Sequence, residues 1–347
     1  MEGRSHLGRS IRTVADVETV LDSNRASFEE YLDCVRVCEV ESAWDLREEA
    51  SRRALEAAIS SARIQAPNLI TAAEYRVKSI LRRANSLSDL PSKVTEAVDL
   101  IDSIERSMPG RDARREDFSS FGKEKVDQLR ELILYIANPS AASLLRLCAR
   151  LRRWVERPDL AVEAGKLARN MEPENPAVLT SLGAAHTDLG EYREARQLLR
   201  TVLKADPDEK RALTALSRVE QETNNLGESY RLALRAFELE PDTYSAHRLL
   251  SSALEKGPNA FREAKEVVSS VADLDTEFSE DGYSDFLAAK VLYEDGQLEV
   301  ALAALRAVVG SQHTSPPVRK LARQLIKKIE EELRRRQGRF DLGEDED

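Results

Sequence analysis

Four prolines stand 34 residues apart along the chain, and this period constrains the fold more than any other feature. They are Pro139, Pro173, Pro207 and Pro241. A period of 34 residues is typical of helix–turn–helix arrays, in which each repeat buries its apolar face against its neighbours. The spacing therefore predicts an all-α protein built from paired helices that stack in sequence.

The composition agrees with this class. Among 347 residues there are 14 glycines and 5% aromatic residues, so turn and strand signals are sparse. A net charge of −10 gives the surface as a whole no electrostatic reason to bind nucleic acid or an anionic membrane. No apolar run reaches the ~18 residues of a membrane span, and the first residues lack the apolar stretch of a signal peptide. With three cysteines, an odd number, we expect a cytoplasmic protein.

The clearest repeat spans residues 176–209. Two helical patterns flank Gly190, which can adopt the left-handed backbone that ends the first helix. Pro207 cannot continue the second helix and fixes the turn into the next repeat. The segment resembles a tetratricopeptide repeat at its signature positions, which hold Leu182, Gly183, Gly190, Tyr192, Ala195 and Pro207.

Small residues recur where the helices of such repeats cross, because only small side chains let two backbones approach closely. Counting Pro176 as position 1, position 8 reads Ala149, Gly183, Ser217 and Ser251 along the repeats. Position 20 reads Ala161, Ala195, Ser229 and, after a shift of one residue, Ala264. The resemblance implies a right-handed α-solenoid of tetratricopeptide-like helix hairpins, with an N-terminal helical module and a C-terminal capping helix.

The first repeat, residues 142–175, departs from the family pattern at two positions. Glu156 stands where the turn glycine is usual, and Gly165 stands where a large apolar residue is usual. The third repeat spans residues 210–243, and the fourth begins at Tyr244. A fifth repeat is predicted around residues 294–298, with Ala301 at position 20 and a first helix near residues 284–293 whose register the sequence leaves open.

The domain organisation follows from these signals. Residues 13–108 lack the period but contain helical patterns near 27–40, 43–64, 68–85 and 91–107. After the array, one apolar stripe predicts a capping helix from Val318, Ala322, Leu325, Ile329 and Leu333. The predicted segments are a disordered N-terminus (1–12), the N-terminal helical module (13–108), a linker (109–118), a capping half-repeat (119–140), the tetratricopeptide array of four to five repeats (141–313, clearest over 142–243), the capping helix (315–337) and an acidic tail (338–347).

No residue pattern indicates catalysis, and we expect no enzyme, no cofactor and no metal site. Cys34 and Cys38 share one helix face but lack further ligands, so they are interpreted as packing residues. Cys148, His186 and His247 fall at core positions of their repeats. The dispersed histidines provide no base for a nucleophile.

The resemblance also implies which residues line the concave face of the array, namely positions 2, 5, 9 and 12 of each repeat. Across four repeats these sixteen positions hold a single acid and six arginines, which are Arg146, Arg150, Arg153, Arg211, Arg218 and Arg248. We therefore predict a basic groove. Two interpretations stay open, since guanidinium groups either bind carboxylates or phosphates of a partner or are neutralised by carboxylates of the chain. Phe286, Lys290 and Tyr293 extend the same groove if the fifth repeat keeps the register of the other repeats.

The function expected from these features is a non-catalytic scaffold or adaptor that binds an acidic or phosphorylated segment of another protein. One alternative is a regulator associated with nucleic acid, and another is a non-catalytic subunit of a larger enzyme or defence complex. No membrane partner is expected. The sequence leaves the oligomeric state open.

Overall fold

The computed structural model describes residues 11, 13–23, 26–41, 43–61, 64–108, 114–271, 283–294, 296–310 and 316–340. Within these ranges helices are the only regular secondary structure, which confirms the predicted all-α class. No helix among the described residues is both long and apolar enough to cross a membrane. Residue contacts divide the chain into two compact units, 1–189 and 190–347, hereafter the first and second units.

In the first unit the helices pack in chain order, each against the next. They are α1 (Val14–Ser23), α2 (Phe28–Glu41), α3 (Trp44–Ser60), α4 (Ala66–Arg82), α5 (Leu90–Ser107), α6 (Arg114–Ala137), α7 (Ala141–Arg150), α8 (Pro158–Met171) and α9 (Pro176–Asp188). A π-helical turn, Leu151–Val155, continues α7. Helices α2 to α5 lie within a few residues of the four expected between residues 27 and 107.

Helix α1 has no counterpart in the prediction. The Thr13 hydroxyl accepts a hydrogen bond from the Asp16 backbone N–H at 3.2 Å, and the Asp16 carboxylate accepts one from the Thr13 backbone N–H at 2.9 Å. This reciprocal pair satisfies two donors that the helix start leaves open. Three buried residues, Val17, Val20 and Leu21, anchor the helix. These residues follow the i, i+3, i+4 spacing of a buried helix face, so the sequence does contain a signal for this helix.

Helix α6 begins inside the segment predicted as a linker. Residues 114–118 are helical, and residues 109–113 lie outside the described residues. The Arg114 guanidinium is buried and donates to three backbone carbonyls at and beyond the end of α3, those of Ala58, Ser61 and Ile64, at 3.0–3.2 Å. Phe118 is also buried. The start of α6 is polar in sequence, but the charged Arg114 side chain caps the C-terminus of α3. This contact holds the polar segment in a helix.

The N-terminal module is joined to the first repeat by polar contacts at the end of α4. Arg157 donates to the backbone carbonyls of Arg82 and Ala84, and the Arg82 guanidinium pairs with Glu156. The Glu163 carboxylate accepts a hydrogen bond from the Leu87 backbone N–H at 3.2 Å. Glu156, Arg157 and Glu163 belong to the turn and second helix of the first repeat. The N-terminal module and the first repeat are therefore packed together through these polar contacts.

The second unit continues the helical series with α10 (Tyr192–Ala205), α11 (Lys210–Glu222), α12 (Leu226–Leu239), α13 (Thr243–Lys256), α14 (Pro258–Ser269), α15 (Tyr283–Glu294), α16 (Leu298–Gly310) and α17 (Pro316–Phe340). The predicted capping stripe on α17 lies in the core of this unit: Val318, Ala322, Leu325 and Ile329 are buried, and Leu333 packs against them half-buried. Helix α17 runs three residues into the segment predicted as the acidic tail, so the helix is longer at this end than its apolar stripe indicates.

One residue of positive φ ends the first helix of every repeat. These residues are Glu156 (φ 58°), Gly190 (78°), Asn224 (59°), Gly257 (132°) and Gly296 (78°). The left-handed backbone is favourable for glycine and costs other residues about 1–2 kcal/mol. Glu156 and Asn224 thus show that the turn keeps its geometry when the glycine is replaced.

Helices α11 and α12 cross closely at the predicted small positions. Ser217 and Ser229 are fully buried, and each hydroxyl donates to the backbone carbonyl of the other residue at 2.8–2.9 Å. Ser252 of α13 joins the pair through its own hydroxyl, 2.9 Å from that of Ser229. Such short links require small side chains at both positions.

Candidate interaction surface

The first helix of the first repeat carries the highest density of positive charge among the predicted site residues. Ser140 and Ser143 form a capping box that starts α7, with the Ser143 backbone N–H donating to the Ser140 hydroxyl at 3.1 Å. From Ala141 to Val155 the sequence contains four arginines and no acid. The apolar side of this segment is buried, and Arg146 and Arg153 are exposed.

The π-helical turn changes the direction of the last predicted arginine. The Glu156 backbone N–H donates to the carbonyl of Leu151, five residues earlier, where an α-helix would use four. The spacing of Arg146, Arg150 and Arg153 predicts one straight row only if the helix is α-helical throughout. The turn therefore rotates Arg153 away from the line that joins Arg146 to Arg150.

Two of the four arginines in this segment are paired with carboxylates. The Arg150 guanidinium lies 2.8 Å from the Glu131 carboxylate of α6. Arg152, which is not a predicted site residue, lies 2.6 Å from Asp188 of α9 and joins the first helices of two successive repeats. Arg146 and Arg153 have no ion pair among the residues that the structure describes. Neutralisation by carboxylates of the chain thus describes Arg150 among the predicted residues of this helical segment, and binding of a partner by Arg146 and Arg153 stays a prediction.

In the second unit, Arg211, Arg218 and Arg248 lie on α11 and α13, which pack together. Arg211 is exposed, whereas Arg218 and Arg248 are half-buried. The Arg248 guanidinium donates to the side-chain carbonyl of Gln221 at 2.6 Å, and the Gln221 amide donates to the Ser251 hydroxyl at 3.2 Å. Arg248 is therefore held within the protein rather than extended into solvent.

The fifth repeat does not extend the surface as the sequence predicts. Phe286 is buried in the core of the second unit. Lys290 pairs with Glu255, and the half-buried Tyr293 lies under the Lys328 ammonium, 5.2 Å from its ring centroid. The prediction is wrong for Phe286 because the register of this helix, which the sequence leaves uncertain, turns its aromatic side chain inward.

Tyr244 is an exposed aromatic residue that is not among the predicted site residues. Its side chain is 68% exposed, and it lies one helical turn before Arg248 on α13. Tyrosine and arginine are enriched where proteins bind one another. The sequence does contain a signal for this exposure. Tyr244 is the first residue of the fourth repeat and precedes Ser245, which is at a position predicted to line the concave face.

The three cysteine side chains are buried. Cys34, Cys38 and Cys148 are not in disulfide bonds and have no exposed surface. Burial, and then the neighbouring Cys38, raise the pKa of the Cys34 thiol to about 12, so it stays protonated and unreactive at neutral pH. No group of three metal-binding side chains occurs in the ranges that the structure describes. The structure thus places these cysteines in the core, as interpreted from the sequence.

Comparison with known proteins identifies the repeats. A sequence profile of the tetratricopeptide repeat family matches residues 156–219. Residues 156–219 are therefore tetratricopeptide repeats. The matched region includes the positive-φ residues of two repeats, Glu156 and Gly190. It also includes Ser217, where α11 crosses α12 closely.

Among solved structures, a tetratricopeptide repeat protein from Parabacteroides merdae is 14% identical, with 87% of this chain and 98% of that one covered and a TM-score of 0.44. A thermophilic tetratricopeptide repeat protein from Thermus thermophilus is 16% identical, with 53% and 99% covered and a TM-score of 0.41. Yeast Tom70 is 12% identical, with 84% and 61% covered and a TM-score of 0.41. All three similarities are distant. No curated protein matches the sequence significantly.

Proposed function

We propose that this tetratricopeptide repeat protein is a non-catalytic adaptor that binds an acidic or phosphorylated segment of another protein. Tetratricopeptide repeats in general imply a protein-interaction scaffold. The observation that carries the finer proposal is the exposure of Arg146 and Arg153 on a helical segment with four arginines and no acid. We further propose a cytoplasmic location, because three buried cysteines outside disulfide bonds suit a reducing compartment.

The charge of Arg146 and Arg153 favours an acidic ligand, and their separation along the helical segment favours an extended one. Arg150 is already paired with Glu131, so Arg146 and Arg153 remain on either side of a neutralised position. A ligand that spaces its carboxylates or phosphates by several residues can reach both guanidinium groups. Each contact is charge-assisted, and each is weakened by salt because the groups are exposed.

The test is the affinity of the full chain for a fluorescent peptide rich in aspartate and glutamate, measured by anisotropy at two salt concentrations. We expect the double variant Arg146→Glu, Arg153→Glu to weaken binding about tenfold, since two exposed contacts of up to ~1 kcal/mol each are removed and reversed. Raising the salt concentration should weaken wild-type binding and leave the variant nearly unchanged.

A matched control is Arg130→Glu on α6, which reverses an equally exposed charge that is 3.9 Å from Asp127 and outside the predicted surface. Its affinity should equal that of the wild type. Equal losses in the control and the double variant would mean that only net charge matters. Unchanged affinity in the double variant would refute the proposed surface.

A further inference from the structure

A second candidate site lies in the N-terminal module, at a cavity lined by arginines. A cavity of about 230 Å³ opens between the first turn of α3 and the last turn of α4. Three guanidinium groups, those of Arg47, Arg82 and Arg83, line it together with the Ser79 hydroxyl. Three arginines at one small cavity are a recurrent arrangement for binding anions, because guanidinium presents several donors in a fixed plane.

Aromatic rings hold two of these guanidinium groups in place. Arg82 stacks on Trp44, with its central carbon 3.5 Å from the ring centroid. Arg47 is 1% exposed and lies 5.4 Å from the Trp44 centroid and 5.9 Å from that of Tyr75. These contacts and the burial of Arg47 restrict both guanidinium groups before any ligand binds, so a bound anion orders little side-chain structure.

The residues that line the cavity include three arginines and two carboxylates, Asp45 and Glu48. Two of the arginines also pair with carboxylates outside this lining, Arg82 with Glu156 and Arg83 with Glu96. Glu48 is shared, since it lies 3.1 Å from Arg76 and 3.5 Å from Arg83. Helix α3 starts at the same cavity, and its N-cap residue, Ala43, supplies no capping side chain, so the positive end of the helix dipole adds to the field.

We propose that this cavity binds a compact phosphate, either inorganic phosphate or the phosphate group of a small ester. The volume is below the ~300 Å³ at which sites for drug-sized ligands begin, which favours a small anion. A phosphate carries about −1.5 to −2 charges near neutral pH and several acceptor oxygens, so it can use more than one guanidinium group at once. A single carboxylate would use fewer of the donors present.

The proposed ligand also bears on the first repeat. Arg82 lines the cavity and pairs with Glu156, the positive-φ residue of that repeat. A phosphate in the cavity competes with Glu156 for the same guanidinium group. Occupancy is therefore coupled to the turn that follows the arginine-rich helix α7.

Equilibrium dialysis of the full chain with radiolabelled inorganic phosphate, at ionic strength held constant with sodium chloride, tests the site. We expect one saturable class of binding. Arg83→Gln should weaken phosphate binding at least tenfold. Arg83 is the most exposed of the three arginines, so its substitution is expected to disturb folding the least. Arg52→Gln is the control, because Arg52 lies on α3 outside the cavity, paired with Glu49 and Glu56, and should leave affinity unchanged.

Glu48→Gln separates a phosphate site from a purely internal ion-pair cluster. Removing that carboxylate lowers the repulsion on an incoming anion, so phosphate should bind severalfold more tightly. Competition by unlabelled glycerol phosphate would identify a phosphate ester as an occupant, and its failure would restrict the site to free phosphate. Absence of saturable binding, or equal affinity in the Arg83→Gln variant, would overturn the proposal.

Discussion

The first and third repeats place a residue other than glycine at the same left-handed position and surround it differently. In the third repeat α11 ends at Glu222, and Asn224 makes the turn. In the first repeat the helix continues through a π-helical turn to Glu156, which pairs with Arg82 of the N-terminal module. The turn therefore requires a left-handed backbone rather than a glycine. Which residue adopts that backbone depends on the neighbouring side chains, as the pair between Glu156 and Arg82 shows.

The two repeats also differ in how they use charge. The third repeat buries Glu220, whose side chain is 2% exposed and 2.8 Å from Arg196. The first repeat has Arg152 at the corresponding position, paired with Asp188, and exposes Arg146 and Arg153. Ion pairs at this position connect helices of successive repeats in both cases. The first helical segment of the first repeat has four arginines and no acid, whereas α11 has three cations and two acids.

The largest expected effect concerns Gly165, where the family pattern predicts a large apolar residue. A Cβ atom at this position would lie 2.8 Å from Leu182 Cδ1 and 3.3 Å from Leu182 Cβ, so α9 occupies the space that the pattern assigns to position 165. Gly165→Leu should lower the free energy of unfolding by about 3 kcal/mol through overpacking, as measured by urea denaturation. Gly227→Ala is the control, since a Cβ there meets nothing within 4 Å. Equal stability of both variants would contradict the close approach.

A somewhat smaller loss is expected for Glu220→Gln in the third repeat. Its carboxylate accepts hydrogen bonds from Arg196 at 2.8 and 3.1 Å and from Asn225 at 3.1 Å. Hydrogen bonds to charged groups contribute about 1.5–3 kcal/mol, and Arg196 can still reach water, so we expect a loss of about 2 kcal/mol by urea denaturation. Arg231→Gln, which removes an exposed pair with Glu228, should cost little. A comparable loss in both would show that burial is unimportant here.

The same carboxylate predicts a pH dependence. Burial alone would raise the pKa of Glu220, but the hydrogen bonds from Arg196 and Asn225 and the nearby positive charges hold it below its usual value of 4.5. A lowered folded-state pKa stabilises the fold fully above about 4.5 and loses that stabilisation as the pH falls through the folded-state value. Unfolding free energies measured from neutral to acidic pH should therefore fall less steeply in Glu220→Gln than in the wild type. Parallel curves would exclude this contribution.

The smallest effects sharpen the comparison of the two turns. Asn224→Gly should raise the free energy of unfolding by about 0.5–1 kcal/mol, because glycine relieves the cost of the left-handed backbone. Glu156→Gly relieves a similar cost but loses the pair with Arg82, so its net effect should be near zero. Thermal denaturation of both variants measures the difference, and a larger gain for Glu156→Gly would mean that the Arg82 pair contributes nothing.

The sequence predicts the fold where the 34-residue period repeats. It does not predict local structure that depends on contacts between residues far apart in the chain. The small positions and the left-handed turns follow from a 34-residue period, so Ser217, Ser229 and Gly190 have the roles expected of them. The start of α6 depends on Arg114 reaching carbonyls more than 50 residues earlier, and Gly165 depends on Leu182 of the next repeat. The period carries no information about either contact.

The predicted surface divides in the same way. The sequence placed Arg146 and Arg211 at exposed positions, because a helix face follows from spacing. It could not show that Glu131 neutralises Arg150 or that Gln221 holds Arg248, since those partners come from other helices. Binding by the six arginines remains a prediction.

The contacts of Arg114 and Arg157 bear on how the protein responds to proteolysis. Both arginines satisfy carbonyls of the N-terminal module from positions after residue 113. A single cleavage between residues 109 and 113 would therefore yield two fragments that stay associated and elute together under native conditions. Expressing either fragment alone would leave those carbonyls or those guanidinium groups without partners, so the pair should regain the fold only when mixed.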